Sequence, residues 1–220
     1  MVTVHYIGDS TVARNNIHSY PQTGMSQGLQ LYLKEAVRLV SYAKNGRSTK
    51  SFLEEGRFAP VQQAMAAGDF LLIQFGHNDE KDDPARHTDP EGSFQENLRL
   101  FVRAAREKGA HPVLLTPIAR RLFDADGRFL PGSHGAYPDA MRAVAQAEAV
   151  PLIDLTAATE RYLAELGDAT SKPLFMWPKD NTHLKPEGAV KMAGFVAEGL
   201  QALGGVYAQL LAGTEEGAGI

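Results

Sequence analysis

Short apolar runs alternate along this chain with longer stretches of helical periodicity, and this alternation restricts the possible folds. Two of the runs, "FLLIQF" and "HPVLLT", are almost continuously apolar, which is typical of strands covered on both faces. The predicted strands are Val2–Gly8, Val37–Ala43, Phe70–Phe75, Pro112–Thr116 and Val150–Asp154. Strands that alternate with helices predict an α/β fold, in which a central, mostly parallel five-stranded sheet lies between two helical layers, as in flavodoxin-like proteins.

Three helices are predicted from apolar side chains that recur every 3.6 residues. Ser93 is the predicted cap of the first, the second follows Pro138, and the third begins beside Pro186. No internal repeat or linker interrupts the pattern, so we predict one domain over residues 1–212. The segment 213–220, "GTEEGAGI", is predicted to be a flexible C-terminal tail.

Composition excludes several classes of protein. The formal net charge of −4 argues against a nucleic-acid partner, because phosphate contact usually needs a basic surface. The absence of cysteine excludes a disulfide scaffold, a thiol nucleophile and cysteine-ligated zinc. No apolar run approaches the roughly 18 residues of a membrane span, and "MVTVHYIGDS" lacks the basic and apolar segments of a signal peptide. We therefore expect a cytoplasmic protein without membrane contacts, unless a leader has been removed.

Polar segments follow three of the predicted strands and precede the final helix. These segments are "GDST" at 8–11, "NGRS" at 45–48, "GHND" at 76–79 and "DNTH" at 180–183. In open parallel sheets, ligands bind at the carboxyl ends of the strands. The sequence therefore predicts that the four segments meet along one edge of the sheet.

These segments contain the groups that acyl transfer by serine requires. A serine hydroxyl needs a base, usually a histidine that is held by a carboxylate, and Asp180 can reach back to one ring nitrogen of His183 while the other faces Ser10. The oxyanion needs hydrogen-bond donors, for which the backbone N–H groups of Ser10 and Gly46 and the side-chain amide of Asn78 are candidates. Ser10, Asp180 and His183 are thus the predicted catalytic residues, and Ser10, Gly46 and Asn78 the predicted oxyanion hole.

The order and spacing of the four segments resemble the SGNH (GDSL-type) hydrolases. Longer segments, including "GRSTKSFLEEGRF", "TPIARRLFD", "HGAYPDAMRAVA" and "DNTHLKPEGA", resemble the rhamnogalacturonan acetylesterase branch and together cover most of residues 1–200. The resemblance implies removal of O-acetyl groups from pectic oligosaccharides or polysaccharides through an acetyl-enzyme on Ser10, with no metal and no organic cofactor. One departure is Met25 in "GMSQ", where an aromatic residue is expected, which puts one substrate-side contact in doubt.

Further residues are candidates for substrate binding. Arg47, and with less weight Arg120 and Arg121, can meet a uronate carboxylate, because guanidinium binds carboxylates with two parallel hydrogen bonds. Trp177 is a candidate for stacking on a sugar ring, although packing beneath its own loop is an equal alternative. His77 is open to two interpretations, a base or substrate contact and a structural ring that fixes the third-strand loop, and we favour the structural one.

Two motifs have simpler explanations than catalysis. Asp9 lacks the second aspartate that an aspartyl phosphatase carries two residues later, so we expect it to brace the turn through backbone hydrogen bonds. "GMSQG" at 24–28 fits the G-x-S-x-G nucleophile elbow, but the polar segment "HSYPQT" precedes it where that motif requires a strand. Ser26 is therefore expected to cap a helix through Leu29, Tyr32, Leu33 and Ala36.

Several other functions stay open at the level of sequence. An SGNH esterase of this kind can act on other acetylated sugars, such as xylan, or on short-chain lipid esters. A metal-dependent phosphoesterase with "GHND" and "DNTH" as ligand loops is less favoured, because such sites usually show Asp-x-His rather than Asp-x-x-His. A catalytically silent carbohydrate-binding module has no use for the Ser10, Asp180 and His183 arrangement. Carbohydrate deacetylation is therefore the leading hypothesis.

Overall fold

The computed structural model describes residues 1–213, and its central feature is a parallel sheet with strand order β2-β1-β3-β4-β5. The strands are β1 Val2–Gly8, β2 Val37–Ser41, β3 Phe70–Gln74, β4 His111–Leu115 and β5 Leu152–Ile153. Helices cover both faces, so the predicted three-layer α/β architecture is confirmed. Of the predicted tail at 213–220, residues 214–220 lie outside the described residues.

The strand bounds differ from the predicted ones for all strands except β1. The edge strand β5 is limited to Leu152–Ile153, because only these two residues are in register with β4. At the other edge, Tyr42 still donates to the Tyr6 carbonyl at 2.9 Å, but β2 itself ends at Ser41. A strand with one neighbour has fewer hydrogen bonds to extend it, which the apolar pattern of the sequence does not reveal.

Nine helices are described within residues 1–213: α1 Met25–Leu29, α2 Thr49–Glu54, α3 Phe58–Ala64, α4 Ser93–Glu107, α5 Tyr137–Ala147, α6 Leu155–Leu166, α7 Asp168–Ser171, α8 Pro186–Leu203 and α9 Gly205–Ala208. Short 3₁₀ turns occupy Ile17–Ser19, Gln30–Tyr32 and Lys172–Leu174. None of the described helices combines the length and apolar character needed to cross a bilayer.

Two predicted helix caps are wrong. Ser93 is the first residue of α4 rather than its cap, because its hydroxyl oxygen accepts the Asp89 N–H at 3.0 Å in the preceding turn. Ser26 lies inside α1, and Gly24 is the N-cap. No strand leads directly into α1, because the loop at 20–24 immediately precedes the helix. "GMSQG" is therefore not a nucleophile elbow.

Alternation along the strands divides the core between the two faces of the sheet. Val4 and Tyr6 of β1 point to the side covered by α1, α6 and α8, whereas Ile7 points to the side covered by α2, α3, α4 and α5. Because the inner strands β3 and β4 are buried along almost their whole length, the sheet exposes functional groups to solvent only at its edges. This is why the loops at the ends of the strands carry the site.

Met25 is fully buried in the core beside Leu29, under the turn that follows β1. Its N–H donates to the Thr11 carbonyl at 2.8 Å, so the start of α1 supports the Ser10 turn from below. The expectation that position 25 affects a substrate-side contact is therefore wrong, because this side chain has no exposed surface. The departure from the expected aromatic residue concerns core packing.

Gly28 allows α1 to approach α8 closely. A methyl group on Gly28 would lie 2.5 Å from the backbone oxygen of Ala189 and 2.8 Å from Cα of Val190. Backbone atoms of a long helix cannot move aside without loss of packing elsewhere. The position therefore requires glycine for space.

We predict that Gly28→Ala lowers the free energy of unfolding by about 1–3 kcal/mol, as overpacking usually does. The matched control is Gly194→Ala, another helical glycine, whose added methyl meets only the end of the Tyr32 side chain at 3.0 Å. The control should be neutral or slightly stabilising, because alanine favours helix by about 1 kcal/mol over glycine. Urea unfolding followed by circular dichroism measures both, and equal midpoints for the two variants would contradict the prediction.

Candidate active site

The four predicted segments converge at the carboxyl edge of the sheet, near the point between β1 and β3 where the order in which successive strands are added reverses. This is the switch point at which open α/β sheets bind ligands. A cavity of about 650 Å³ opens there. It is lined by Ser10, Gln22, Asn45, Gly46, His77, Asn78, Lys81, Arg86, Arg120, Asp180, Asn181, Thr182 and His183.

Ser10, His183 and Asp180 form one continuous hydrogen-bonded relay. His183 Nε2 lies 2.8 Å from Ser10 Oγ, and His183 Nδ1 lies 3.1 Å from Asp180 Oδ2. The Asp180 carboxylate accepts a hydrogen bond from Nδ1–H of His183, which leaves Nε2 as the acceptor for the serine hydroxyl. The arrangement can therefore remove a proton from Ser10 and stabilise the charge that forms on the imidazole.

The loop that carries His183 is folded around the Asp180 carboxylate. Asp180 Oδ1 accepts the N–H groups of Thr182 at 2.9 Å and of His183 at 2.7 Å. Partial burial acts to raise the pKa of Asp180, but these backbone donors and the attraction of His183 outweigh it and lower the pKa. Asp180 is thus a carboxylate at neutral pH, as the relay requires.

The predicted oxyanion donors line the same cavity as Ser10. Within residues 1–213, the backbone N–H groups of Ser10 and Gly46 donate no hydrogen bond, so both are available to a ligand. Asn78 Nδ2 donates to the Arg47 carbonyl at 3.2 Å, and its second hydrogen is left for another acceptor. Gly46 has φ +77°, where glycine is favoured, and a methyl group there would meet no atom within 4 Å. Glycine is therefore favoured at position 46 by the backbone torsion angle and not by a lack of space.

The Asp9 carboxylate is fully buried beneath the Ser10 turn. Its Oδ1 accepts the N–H and the hydroxyl of Thr11, each at 2.9 Å, which confirms that it braces the turn. Its Oδ2 lies 3.3 Å from His77 Nδ1, an electrostatic contact without hydrogen-bond geometry. Burial lowers the pKa of His77 despite the attraction of Asp9. His77 is 3% exposed and joins the β3 loop to the β1 turn.

Asp79 joins the β3 loop to the start of α2. Its carboxylate accepts the Thr49 N–H at 2.9 Å, the Thr49 hydroxyl at 2.5 Å, the Thr88 hydroxyl at 3.1 Å and the Gly76 N–H at 3.2 Å. Burial raises the pKa of Asp79 to about 7, although the bonds from Thr49 and Thr88 act in the opposite direction. The loop that carries Gly46 is therefore held against the loop that carries Asn78.

Glu80 and Arg120 connect the β3 loop to the loop that carries His183. Arg120 donates to Glu80 at 2.5 Å and to the Thr182 hydroxyl at 2.6 Å. The other Glu80 oxygen lies 2.9 Å from His134 Nδ1. Burial acts to raise the pKa of Glu80, but His134 and Arg120 outweigh it and lower the pKa. The positive charge of Arg120 is thereby matched inside the protein.

Other predicted contacts lie away from the relay. Arg47 pairs with Glu55 at 3.0 Å and faces a neighbouring cavity. Trp177 is 42% exposed, lies outside the lining of the Ser10 cavity, and has Arg121 and Lys172 over its ring at 4.7 and 5.4 Å. As substrate contacts, Arg47, His77 and Trp177 stay predictions.

Several residues that line the cavity are not among the candidates that the sequence indicates. Lys81 and Arg86 follow "GHND" within the polar loop at 79–92, and that proximity was the available signal. Gln22, Asn45, Asn181 and Thr182 also line it. In the part of the chain that the structure describes, no group of three or more His, Asp or Glu side chains is arranged to hold a metal ion.

The comparisons with known proteins assign the family. The GDSL-like lipase/acylhydrolase family model matches residues 6–190, and the chain belongs to that family. The chain is 43% identical to the rhamnogalacturonan acetylesterase RhgT of Bacillus subtilis, over 92% of this chain and 91% of that protein. It is 38% identical to the probable rhamnogalacturonan acetylesterase YesY of the same organism, over 91% and 93%.

Solved structures agree on the fold. The crystal structure of YxiM from Bacillus subtilis matches with a TM-score of 0.82 and 26% identity, over 92% of this chain and 56% of that chain. The acetylxylan esterase Axe2 from Geobacillus stearothermophilus matches with a TM-score of 0.65, over 94% and 95% of the two chains. At 17% identity, this second likeness concerns the fold alone.

The pKa of Asp79 predicts a specific dependence of stability on pH. The native state keeps this proton up to about pH 7, whereas the unfolded chain loses it near the ordinary value of 3.8. The free energy of unfolding of the wild type, relative to Asp79→Asn, should therefore fall as pH rises from about 4 to 7, by at most roughly 4 kcal/mol. Urea unfolding at several pH values measures the difference.

The control for this measurement is Asp82→Asn, which removes an exposed carboxyl group from the same loop. The slope with pH is the readout, so a lower absolute stability of Asp79→Asn does not affect the result. A difference between wild type and Asp79→Asn that stays constant between pH 4 and pH 8 would show that Asp79 is ionised throughout.

Proposed function

We propose that this protein is a serine-dependent carbohydrate acetylesterase that removes O-acetyl groups from rhamnogalacturonan-type saccharides. The observation that carries the proposal is the Ser10–His183–Asp180 relay, with contacts of 2.8 and 3.1 Å, at the wall of an open cavity. The two relatives named as rhamnogalacturonan acetylesterases, which align with nearly the whole chain, support the choice of substrate.

The reaction follows from the geometry of the relay. His183 Nε2 takes the hydroxyl proton of Ser10 as Oγ attacks the acetyl carbonyl carbon. The resulting oxyanion accepts hydrogen bonds from the free N–H groups of Ser10 and Gly46 and from the Asn78 amide. The bond to the sugar oxygen then breaks, and His183 returns the proton to the leaving hydroxyl. Water, deprotonated by His183, attacks the carbonyl carbon of the acetyl-enzyme. The bond to Ser10 Oγ then breaks, acetate leaves, and His183 returns the proton to Ser10 Oγ.

The lining of the cavity favours a carbohydrate over a lipid ester. Every residue that lines it is polar or glycine, and no aliphatic or aromatic hydrocarbon side chain is among them. An acyl chain needs an apolar wall, whereas sugar hydroxyls need hydrogen-bond donors and acceptors. This lining does not distinguish pectic from xylan-type sugars, which the experiment below separates.

We predict that Ser10→Ala lowers kcat/KM for acetate release by on the order of 10⁴-fold or more, because the nucleophile is lost. The control is Ser26→Ala, which removes the serine of the elbow-like "GMSQG". The buried Ser26 hydroxyl has no hydrogen-bond partner within the described residues, so its removal should preserve both stability and activity. Release is measured on acetylated rhamnogalacturonan oligosaccharides, acetylated xylo-oligosaccharides and p-nitrophenyl acetate.

The three substrates separate the mechanism from the specificity. The whole proposal is supported if Ser10→Ala loses activity, Ser26→Ala keeps it, and the wild type prefers the pectic substrate. If Ser10→Ala loses activity but the wild type shows no preference for the pectic substrate, the serine mechanism is supported and the assigned substrate is wrong. Normal turnover by a folded Ser10→Ala variant would show that Ser10 is not the nucleophile.

A further inference from the structure

We infer that Lys81 and Arg86 form a carboxylate-binding wall of the cavity, which recognises a uronate residue next to the acetylated sugar. The inference rests on the proposed function and adds the residues that select an acidic saccharide. It differs from the expectation for Arg47, which does not line the Ser10 cavity.

Lys81 supplies a positive charge that the protein leaves unmatched. Its side chain is exposed and lines the Ser10 cavity, and among the described residues its ammonium has no hydrogen-bond or ion-pair partner. The backbone of Lys81 is held, because its N–H donates to the Asn78 carbonyl at 3.2 Å and its carbonyl oxygen lies 3.1 Å from His87 Nδ1. A flexible ammonium on a fixed backbone next to Asn78 is available to an anionic ligand.

Arg86 presents a guanidinium that is already oriented. Its Nε donates to Asp83 at 2.6 Å, and Nη1 lies 3.4 Å from Asn78 Oδ1. The backbone N–H of Arg86 also donates to the Asp83 carbonyl at 2.8 Å. Guanidinium has five N–H donors, so these contacts leave others free for a carboxylate. Arg86 thus lies between the proposed oxyanion amide and the outer wall of the cavity.

The two cavities that meet at Gly46 differ in the charges of the residues that line them. The acidic residue that lines the Ser10 cavity is Asp180, which is hydrogen-bonded to His183. Besides Lys81 and Arg86, the third cationic lining residue is Arg120, which is paired with Glu80. The neighbouring cavity, which shares Gly46 and Arg86, is lined by Glu54, Glu55, Asp83 and Arg47. Glu55 is paired with Arg47 and Asp83 with Arg86, so Glu54 carries the unpaired charge there. A carboxylate is therefore attracted to the Lys81 side and repelled from the Glu54 side.

This asymmetry fits the chemistry of the proposed substrate. A rhamnogalacturonan-type saccharide carries galacturonate, whose carboxylate is ionised at neutral pH. An acetylated xylo-oligosaccharide without uronate substituents offers no such group. Recognition of the carboxylate by Lys81 and Arg86 would therefore discriminate between substrates that present the same acetyl ester to Ser10.

The experiment compares one acetylated rhamnogalacturonan oligosaccharide in two forms, with free carboxylates and with the same carboxylates methyl-esterified. Esterification removes the charge and leaves the sugar and the acetyl group unchanged. We expect the wild type to favour the free acid in kcat/KM by roughly three- to tenfold, mainly through KM, because one partly exposed charged contact is lost. Lys81→Gln should lose most of this preference, and Arg86→Gln should lower it as well.

The control variant is Lys108→Gln, which makes the same change of charge at the C-cap of α4, before β4 and at the opposite edge of the sheet. It should keep the wild-type preference. Added salt should weaken the preference of the wild type and of Lys108→Gln, because screening acts on the same charge contact.

The outcomes separate this inference from the proposed function. Acetate release from both forms with no preference in the wild type, or with a preference that Lys81→Gln retains, overturns the inference and leaves the esterase proposal standing. Cleavage of p-nitrophenyl acetate without release from either oligosaccharide overturns the assigned substrate, and the inference with it.

Discussion

The buried carboxylate of Asp9 is the constraint on which the position of Ser10 depends. A carboxylate without solvent contact is stable only where donors and charges in the protein replace water. Here Thr11 supplies two donors from within the turn, and His77 approaches from the neighbouring β3 loop. Displacement of either segment would leave a buried charge unmatched, so the turn after β1 and the loop after β3 are held in one arrangement.

Two further acidic side chains of the β3 loop, Asp79 and Glu80, also hold neighbouring segments in place. Asp79 holds the start of α2 through Thr49, and Glu80 holds the loop of Asp180 and His183 through Arg120 and Thr182. Since β3 is the central strand, its loop is connected to the turn after β1, to the loop of Gly46 and, through Arg120, to the loop of His183. The relay and the proposed oxyanion donors are thereby positioned before a substrate binds, which is the condition for electrostatic stabilisation of an oxyanion.

Strand and helix bounds can be predicted where a short segment carries the whole pattern. The partners of long charged side chains cannot be predicted in this way. The β1 bounds and the start of α8 at Pro186 follow from local pattern. The bidentate guanidinium makes Arg47 a candidate uronate contact, yet in the structure its side chain pairs with Glu55. Lys81 has no such signal in the sequence, although it lines the cavity. The direction and pairing of long charged side chains depend on how the surrounding loops fold, which the sequence pattern does not show.

The sequence by itself determined the alternation of buried strands and helices, and the local Asp-x-x-His geometry in which Asp180 meets His183 three residues later. Both depend on short-range periodicity and turn chemistry. Only the tertiary structure decided that His183 meets Ser10, 173 residues away, and that the free charge in the cavity belongs to Lys81 rather than Arg47. The reason is physical: strand order and the packing of α8 on α1 set distances that no local stretch of chain encodes.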